Sequence, residues 1–260
     1  MKNKIILTNV IPRFGRFGAA LAALLLLGIA ALSSSGQVLP PSSLPYGCSY
    51  EEWSAKWWRW YLGQDTNDVE LVGSPDICEG PASRVRFLGE QPGPAGLTFQ
   101  TNHVIIPGET PVFFLIVAGY YDNTACPLSA STSYTADQLA TMAEGGRSNI
   151  VQITCTIDGV PVAGLEDPLG TVYYVVSPPF SYTTAEEGTI VAVFEGEPCI
   201  PGGLTVYPAE AAGVYLMLSP FSPGKHTIQY FVNGGVYGTG GATYDLPVLP
   251  DFRRDGKRVE

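Results

Sequence analysis

Positive charge is scarce in this chain: 14 Lys and Arg stand against 24 Asp and Glu, for a formal net charge of −10. Such a balance argues against a nucleic-acid or anionic-lipid partner, because both would repel an acidic body. Histidine is scarcer still. His103 and His226 are far apart in sequence, which argues against a zinc site built on histidines. The five cysteines include no close C-x-x-C pair. There is no G-x-S-x-G turn, no phosphate-binding G-x-x-x-x-G-K and no G-x-G-x-x-G after a strand, so hydrolase-elbow and nucleotide readings have no support. Nothing supplies a nucleophile, a base and an orienting group together. Charged residues are only 15% of the chain, and the strong helix formers Lys, Glu and Arg are correspondingly thin.

Glycine (30) and proline (22) are plentiful, and Tyr, Phe, Val, Thr and Ile fill the stretches between them. That is the profile of a β-rich domain. Long apolar runs occur once, in the leader. Lys2, Lys4, Arg13 and Arg16 precede GAALAALLLLGIAAL at 18–32, and small residues follow at 33–36. A basic region, an apolar region and small residues form the layout of a secretory signal peptide, and the run is short for a bilayer span. Residues 1–36 are therefore expected to be a signal peptide, with cleavage after Ser33 or Gly36. The mature protein is expected to be secreted, extracellular or periplasmic, with no membrane span. The leader takes four of the 14 basic residues and no acid, so the mature charge is ten minus 24, or −14.

Residues 37–48 read as an extended Pro- and Ser-rich lead-in, 49–250 as a single domain, and 251–260 as a disordered charged tail. Within SYEEWSAKWWRWYLG at 49–63, Ser49 and Glu52 form a capping box and Gly63 a stop. Trp53, Trp57 and Trp60 fall at i, i+4 and i+7, on one helical face. Such a stripe either packs into a core or offers a sugar-stacking platform. A second helix is expected within 131–146, capped by Thr135 and Gln138 and stopped by Gly145. Strands are expected at 84–89, 97–107, 111–121, 171–177, 189–195, 212–219, 225–232 and 241–249, with a hairpin turning at Asp158-Gly159. The expected fold is mostly β: an antiparallel β-sandwich, jelly-roll-like, with an N-terminal amphipathic aromatic helix and one further short helix.

Together these segments resemble a group of uncharacterised secreted bacterial proteins. The resemblance rests on SYEEWSAKWWRW at 49–60, PGETPVFF at 107–114, IDGVPVAGL at 157–165, SPPF at 177–180 and LSPFSPGKHTI at 218–228. Order and spacing agree over nearly the whole mature chain, apart from the segment around 196–208 and the tail. The resemblance implies export and a shared β-rich domain, and it carries over no catalytic residue.

Four sets of residues could carry chemistry. Asp65, Asn67, Asp68 and Glu70 cluster oxygen ligands suited to calcium, but lack the EF-hand glycine and spaced glutamate; otherwise no cofactor is expected. Glu195 and Glu197, on a continuing strand, would share a face about 6.5–7 Å apart, a spacing used by glycoside hydrolases. Among the cysteines, Cys155 alternates with Ile153 and Ile157 and is the expected odd thiol. The tentative bridges are Cys48–Cys78 and Cys126–Cys199. His226 alternates with Ile228 and Tyr230 and is expected to be a hydrogen-bonded strand histidine. Tyr120, Tyr121, Tyr173 and Tyr174 make the strands and loops tyrosine-rich. The balance favours a binding or structural module with a carbohydrate or cell-surface partner. The alternative is a secreted polysaccharide-active enzyme using a carboxylate pair.

Overall fold

Two β-sheets and an aromatic helix form the fold in a computed structural model that describes residues 36–74, 85–92, 99–195 and 200–250. The strands are β1 (Val38–Leu39), β2 (Val72–Gly73), β3 (Arg86–Leu88), β4 (Phe99–His103), β5 (Val112–Asp122), β6 (Gln152–Ile157), β7 (Val160–Pro161), β8 (Tyr174–Val176), β9 (Phe180–Thr183), β10 (Thr205–Leu218), β11 (Gly224–Asn233) and β12 (Thr239–Val248). The helices are α1 (Tyr50–Leu62), α2 (Ala136–Glu144) and α3 (Ile190–Glu195). The first sheet runs β1-β10-β5-β3-β2, with β8 and β9 also on β10; the second runs β4-β12-β11-β6-β7. The mostly β, sandwich-like reading holds. Both sheets are mixed rather than purely antiparallel, because β3 joins β5 and β4 joins β12 in parallel. No helix among the described residues is long and apolar enough to cross a membrane. Residues 1–35 and 251–260, and with them the leader and tail readings, lie outside the described residues.

Local signals place α1 and α2 where the sequence puts them. The Ser49 hydroxyl accepts from Glu52 N while the Glu52 carboxylate accepts from Ser49 N, and Thr135 and Gln138 repeat this pair at α2. Each pair satisfies two N–H groups that the first helical turn leaves open. Gly63 and Gly145 follow the helix ends as expected. The lead-in is more structured than an extended arm. Its β1 pairs with β10, and two 3₁₀ turns, Pro41–Ser43 and Pro45–Gly47, carry the chain to α1.

A larger departure is TIVAVFE. Ile190–Glu195 is helical, not a strand, and the Thr189 hydroxyl accepts from Ala192 N at its start. Five apolar residues followed by a glutamate carry no readable period, and here tertiary packing overrides β propensity. Ile190 and Val191 are buried, and the Phe194 ring meets Trp58 and Tyr61 of α1.

α1 closes one face of the first sheet. Trp53, Trp57 and Trp58 are buried, along with Tyr50 and Tyr61. The buried face is thus wider than the expected stripe, and Trp60 lies at its half-buried margin. Phe113 of β5 meets Tyr50, Trp53 and Phe87 by ring contact and stacks on Tyr215 at 5.5 Å. On the opposite face of the first sheet, Phe114 meets Tyr230 of the second. α2 rests on the same sheet further along: a side chain at Gly119 of β5 would place its Cβ 2.5 Å from the Ala143 carbonyl oxygen, so only glycine permits that approach.

Trp57→Ala should cost about 3–5 kcal/mol of stability in a denaturant titration, the usual cost of emptying a buried indole site. A loss under about 1 kcal/mol would show that α1 is not part of the core.

Candidate functional site

The sequence-predicted acids are only partly within the described residues. Glu195 ends α3 instead of continuing a strand, so the spacing drawn from strand geometry does not apply; Glu197 lies outside the described residues. In the loop expected to suit calcium, Asp65 Oδ1 accepts from Asn67 N at 2.8 Å and from Asn67 Nδ2 at 2.9 Å, an Asx turn that the loop makes for itself. Among the described residues no three His, Cys, Asp or Glu side chains are placed to hold a metal. Cys155 is a free thiol, and burial pushes its pKa up to about 12, as expected of an inert strand cysteine. Cys126 is disulfide-bonded. Cys78 and Cys199 lie outside the described residues, and both expected pairings fall there.

His226 has partners at both ring nitrogens. Nδ1 is 2.7 Å from Asp158 Oδ2, and Nε2 is 2.8 Å from the Ser222 carbonyl oxygen and 3.4 Å from the Ser222 hydroxyl. Asp158, His226 and Ser222 have the connectivity of a hydrolytic triad without its geometry. The nitrogen that would take the serine proton lies closer to a carbonyl acceptor than to the hydroxyl. Asp158 also accepts from Thr227 N at 2.8 Å. The trio therefore ties the β6–β7 turn and the start of β11 together, a structural role. His103 pairs separately with Asp245 at 3.0 Å.

The tryptophan platform is the helix face already described. The indole N–H groups of Trp53 and Trp57 donate to the Pro45 and Leu88 carbonyl oxygens, and neither ring has a face left for a ligand. Trp60, with Arg59, Gln64, Glu70, Ser181 and Thr183, borders a polar groove of ≈550 Å³. Backbone crowds its ring there: a Cβ at Gly73 would sit 2.0 Å from it and one at Gly89 2.8 Å. With the Trp57, Tyr61 and Phe87 rings also against it, Trp60 is half-buried.

Stacking surface survives elsewhere. A cleft of ≈270 Å³ opens where α2 ends and the second sheet begins, lined by Tyr121, Tyr174, Tyr237, Arg147 and Ile150 over a floor that includes Gly119 and Ala212. A β-bulge makes it possible. Val214 pairs with Val117 but Tyr215 with Leu115, so β5 carries one extra residue. Phe113 and Tyr120 both face α1, although they are seven positions apart and simple alternation would put them on opposite faces. The extra residue reverses the alternation and turns Tyr121 away from α1.

Tyr121 is 41% exposed and Tyr237, on the 3₁₀ turn Gly235–Tyr237, is 57% exposed. Arg147 sits with Cζ 4.0 Å from the Tyr174 ring centroid and donates from Nη2 to the Leu169 carbonyl oxygen at 2.5 Å. Burial and the nearby Glu144 push the Tyr174 hydroxyl up to about 12, and Arg147 partly opposes them. Of these lining residues, Tyr121 and Tyr174 were legible as part of a tyrosine-rich set. Arg147 and Tyr237 were not; the available signal was a lone basic residue in a glycine-rich turn of an acidic chain.

Next to Tyr121 in the sheet, across the β5–β10 pair, lies the buried Glu210. Burial raises its carboxyl from the ordinary 4.5 to about 7, the Ser177 hydroxyl lowers it, and Asp137 raises it. Behind the cleft floor, Asp122 Oδ2 accepts from the Tyr182 hydroxyl at 2.6 Å and from the Tyr120 hydroxyl, while Oδ1 accepts from Thr124 N at 2.7 Å. That network fixes the end of β5 from which Tyr121 projects.

No family model matches the chain, and no curated protein does. A solved structure, "Structure of PbICP-C in complex with falcipain-2", is 12% identical over 64% of this chain and 99% of that one. At a TM-score of 0.23 that likeness carries no argument about fold or activity.

Because the folded Glu210 carboxyl sits above its ordinary value, the folded state binds the extra proton between about pH 4.5 and 7. Stability should fall as pH rises through that window. Glu90, raised by burial to about 7, adds a slope of the same sign. Glu210→Gln should remove only its own share, so in denaturant titrations the variant should gain on the wild type from pH 4.5 to 7. A difference independent of pH would exclude a raised Glu210.

Proposed function

We propose that this protein is an exported β-sandwich module of the extracellular space or cell envelope that binds a carbohydrate or other cell-surface component through the tyrosine cleft. The observation that carries the reading is the cleft itself: exposed Tyr121 and Tyr237 rings on a concave surface. Aromatic faces beside polar groups suit a sugar ring, whose C–H face packs on the ring while its hydroxyls find donors and acceptors. The basic, then apolar, leader supports export. Catalysis has less support, since Glu195 has left the strand on which a carboxylate pair depended, and His226 has its edge toward Ser222 facing a carbonyl.

The test is thermal unfolding and calorimetric titration across a panel of oligosaccharides. A ligand that binds only the folded form, at 100 times its dissociation constant, adds about 2.7 kcal/mol to stability. Tyr237→Ala and Tyr121→Ala should each weaken binding by roughly three- to tenfold, the worth of one ring contact, while leaving the unliganded melting temperature close to wild type. No shift with any saccharide, or binding indifferent to both substitutions, would remove the cleft from consideration.

A further inference from the structure

We propose that Arg147 makes this cleft selective for acidic saccharides: the ring of a uronic acid unit packs on the exposed tyrosines, and its carboxylate pairs with the guanidinium. The inference rests on the cleft being the binding site. A guanidinium has five N–H donors, and the protein uses one of them here, from Nη2 to the Leu169 carbonyl oxygen. Nε is buried and donates to nothing. Among the described residues no carboxylate lies within ion-pair distance of Arg147, in a chain with 24 acids against 14 bases. Nε is closed to solvent and so to a ligand, and the donors a ligand can reach are those on the two terminal nitrogens.

The guanidinium is also held in place. Its Cζ lies over the Tyr174 ring, and its Nη2 is pinned by the turn at Leu169, so the group is held before any ligand arrives. A planar carboxylate matches that fork in two parallel hydrogen bonds, which a neutral hydroxyl cannot do. The Glu144 carboxylate, which acts on the Tyr174 hydroxyl, opposes an anionic group, so the Arg147 contact must outweigh it. At long range the acidic body opposes an anionic ligand. The selectivity is therefore a contact effect, best read with short oligomers at moderate salt.

The experiment compares di- and trimeric uronic acids (galacturonate, mannuronate and glucuronate types) with their own methyl esters, by calorimetry on the purified protein. Esterification removes the charge and keeps the ring stereochemistry. The acid should bind about tenfold tighter than its ester, or better. Arg147→Gln should abolish that preference. Arg147→Lys should retain only part of it, because an ammonium keeps the charge without the fork. Melting temperatures of both variants report whether the fold survives, and the lysine variant keeps the test readable if the glutamine variant unfolds. Equal affinity for acid and ester, or a preference that survives Arg147→Gln, overturns the inference while leaving a neutral-sugar cleft intact. Equal competition by acetate or sulfate also overturns it, by showing an anion seat indifferent to the sugar. Failure of acids, esters and neutral sugars alike overturns the binding reading itself.

Discussion

The rest of the structure depends on the burial of the aromatic face of α1 against the first sheet. Each indole placed there brings an N–H that must find an acceptor away from water. Trp53 finds the lead-in at Pro45, Trp57 finds β3 at Leu88, and Trp58 finds the Tyr215 hydroxyl of β10 at 2.7 Å. Tyr50 adds a fourth tie. Its hydroxyl donates to Leu39 of β1 and accepts from Met217 of β10. One helix thereby fixes the lead-in, an inner strand and the longest strand of the sheet relative to one another. Each bond is worth only about 1 kcal/mol net, but a missing partner would cost more than the bond contributes. Apolar area supplies the force, and the polar atoms choose the register.

With that face sealed, the opposite face of the same sheet divides into two. The half around Phe114 packs on the second sheet, and the half around Gly119 packs on α2. The bulge between them turns Tyr121 out of the α1 face, and the cleft is the gap left where one cover stops and the other starts. Bulges often re-aim side chains beside functional sites. Here one extra residue in β5 converts a closed sandwich edge into a concave, tyrosine-lined surface with an arginine at its side.

Much of the fold was legible because it is written in local chemistry. The caps of α1 and α2, the turn at Asp158-Gly159 and the long β5 and β11 strands each follow from residues within one or two turns of each other. TIVAVFE was misread because a five-residue apolar run lacks the length to show a period; its helical state comes from packing beneath α1. The tryptophan stripe was read correctly as one face. Whether that face met solvent or a sheet depended on Phe113, Phe87 and Tyr215, distant in sequence. Charge proximity in sequence says nothing about convergence in space, and the strand spacing drawn for Glu195 rested on a strand that is a helix.

The sequence by itself determined an acidic, β-rich chain behind an apolar leader, the two main helices with their caps, and the fate of Cys155 and His226 as strand residues with structural partners. These are set by composition, period and short-range hydrogen bonding. The tertiary structure alone decided which faces are buried, and so that Trp53, Trp57 and Trp58 are core and the exposed rings of the cleft are tyrosines. Arg147, Tyr121, Tyr174 and Tyr237 come from four separate segments and meet only because a bulge, a close glycine contact and two covering layers fall at one place. That meeting is a long-range packing event, and no local signal in the chain encodes it.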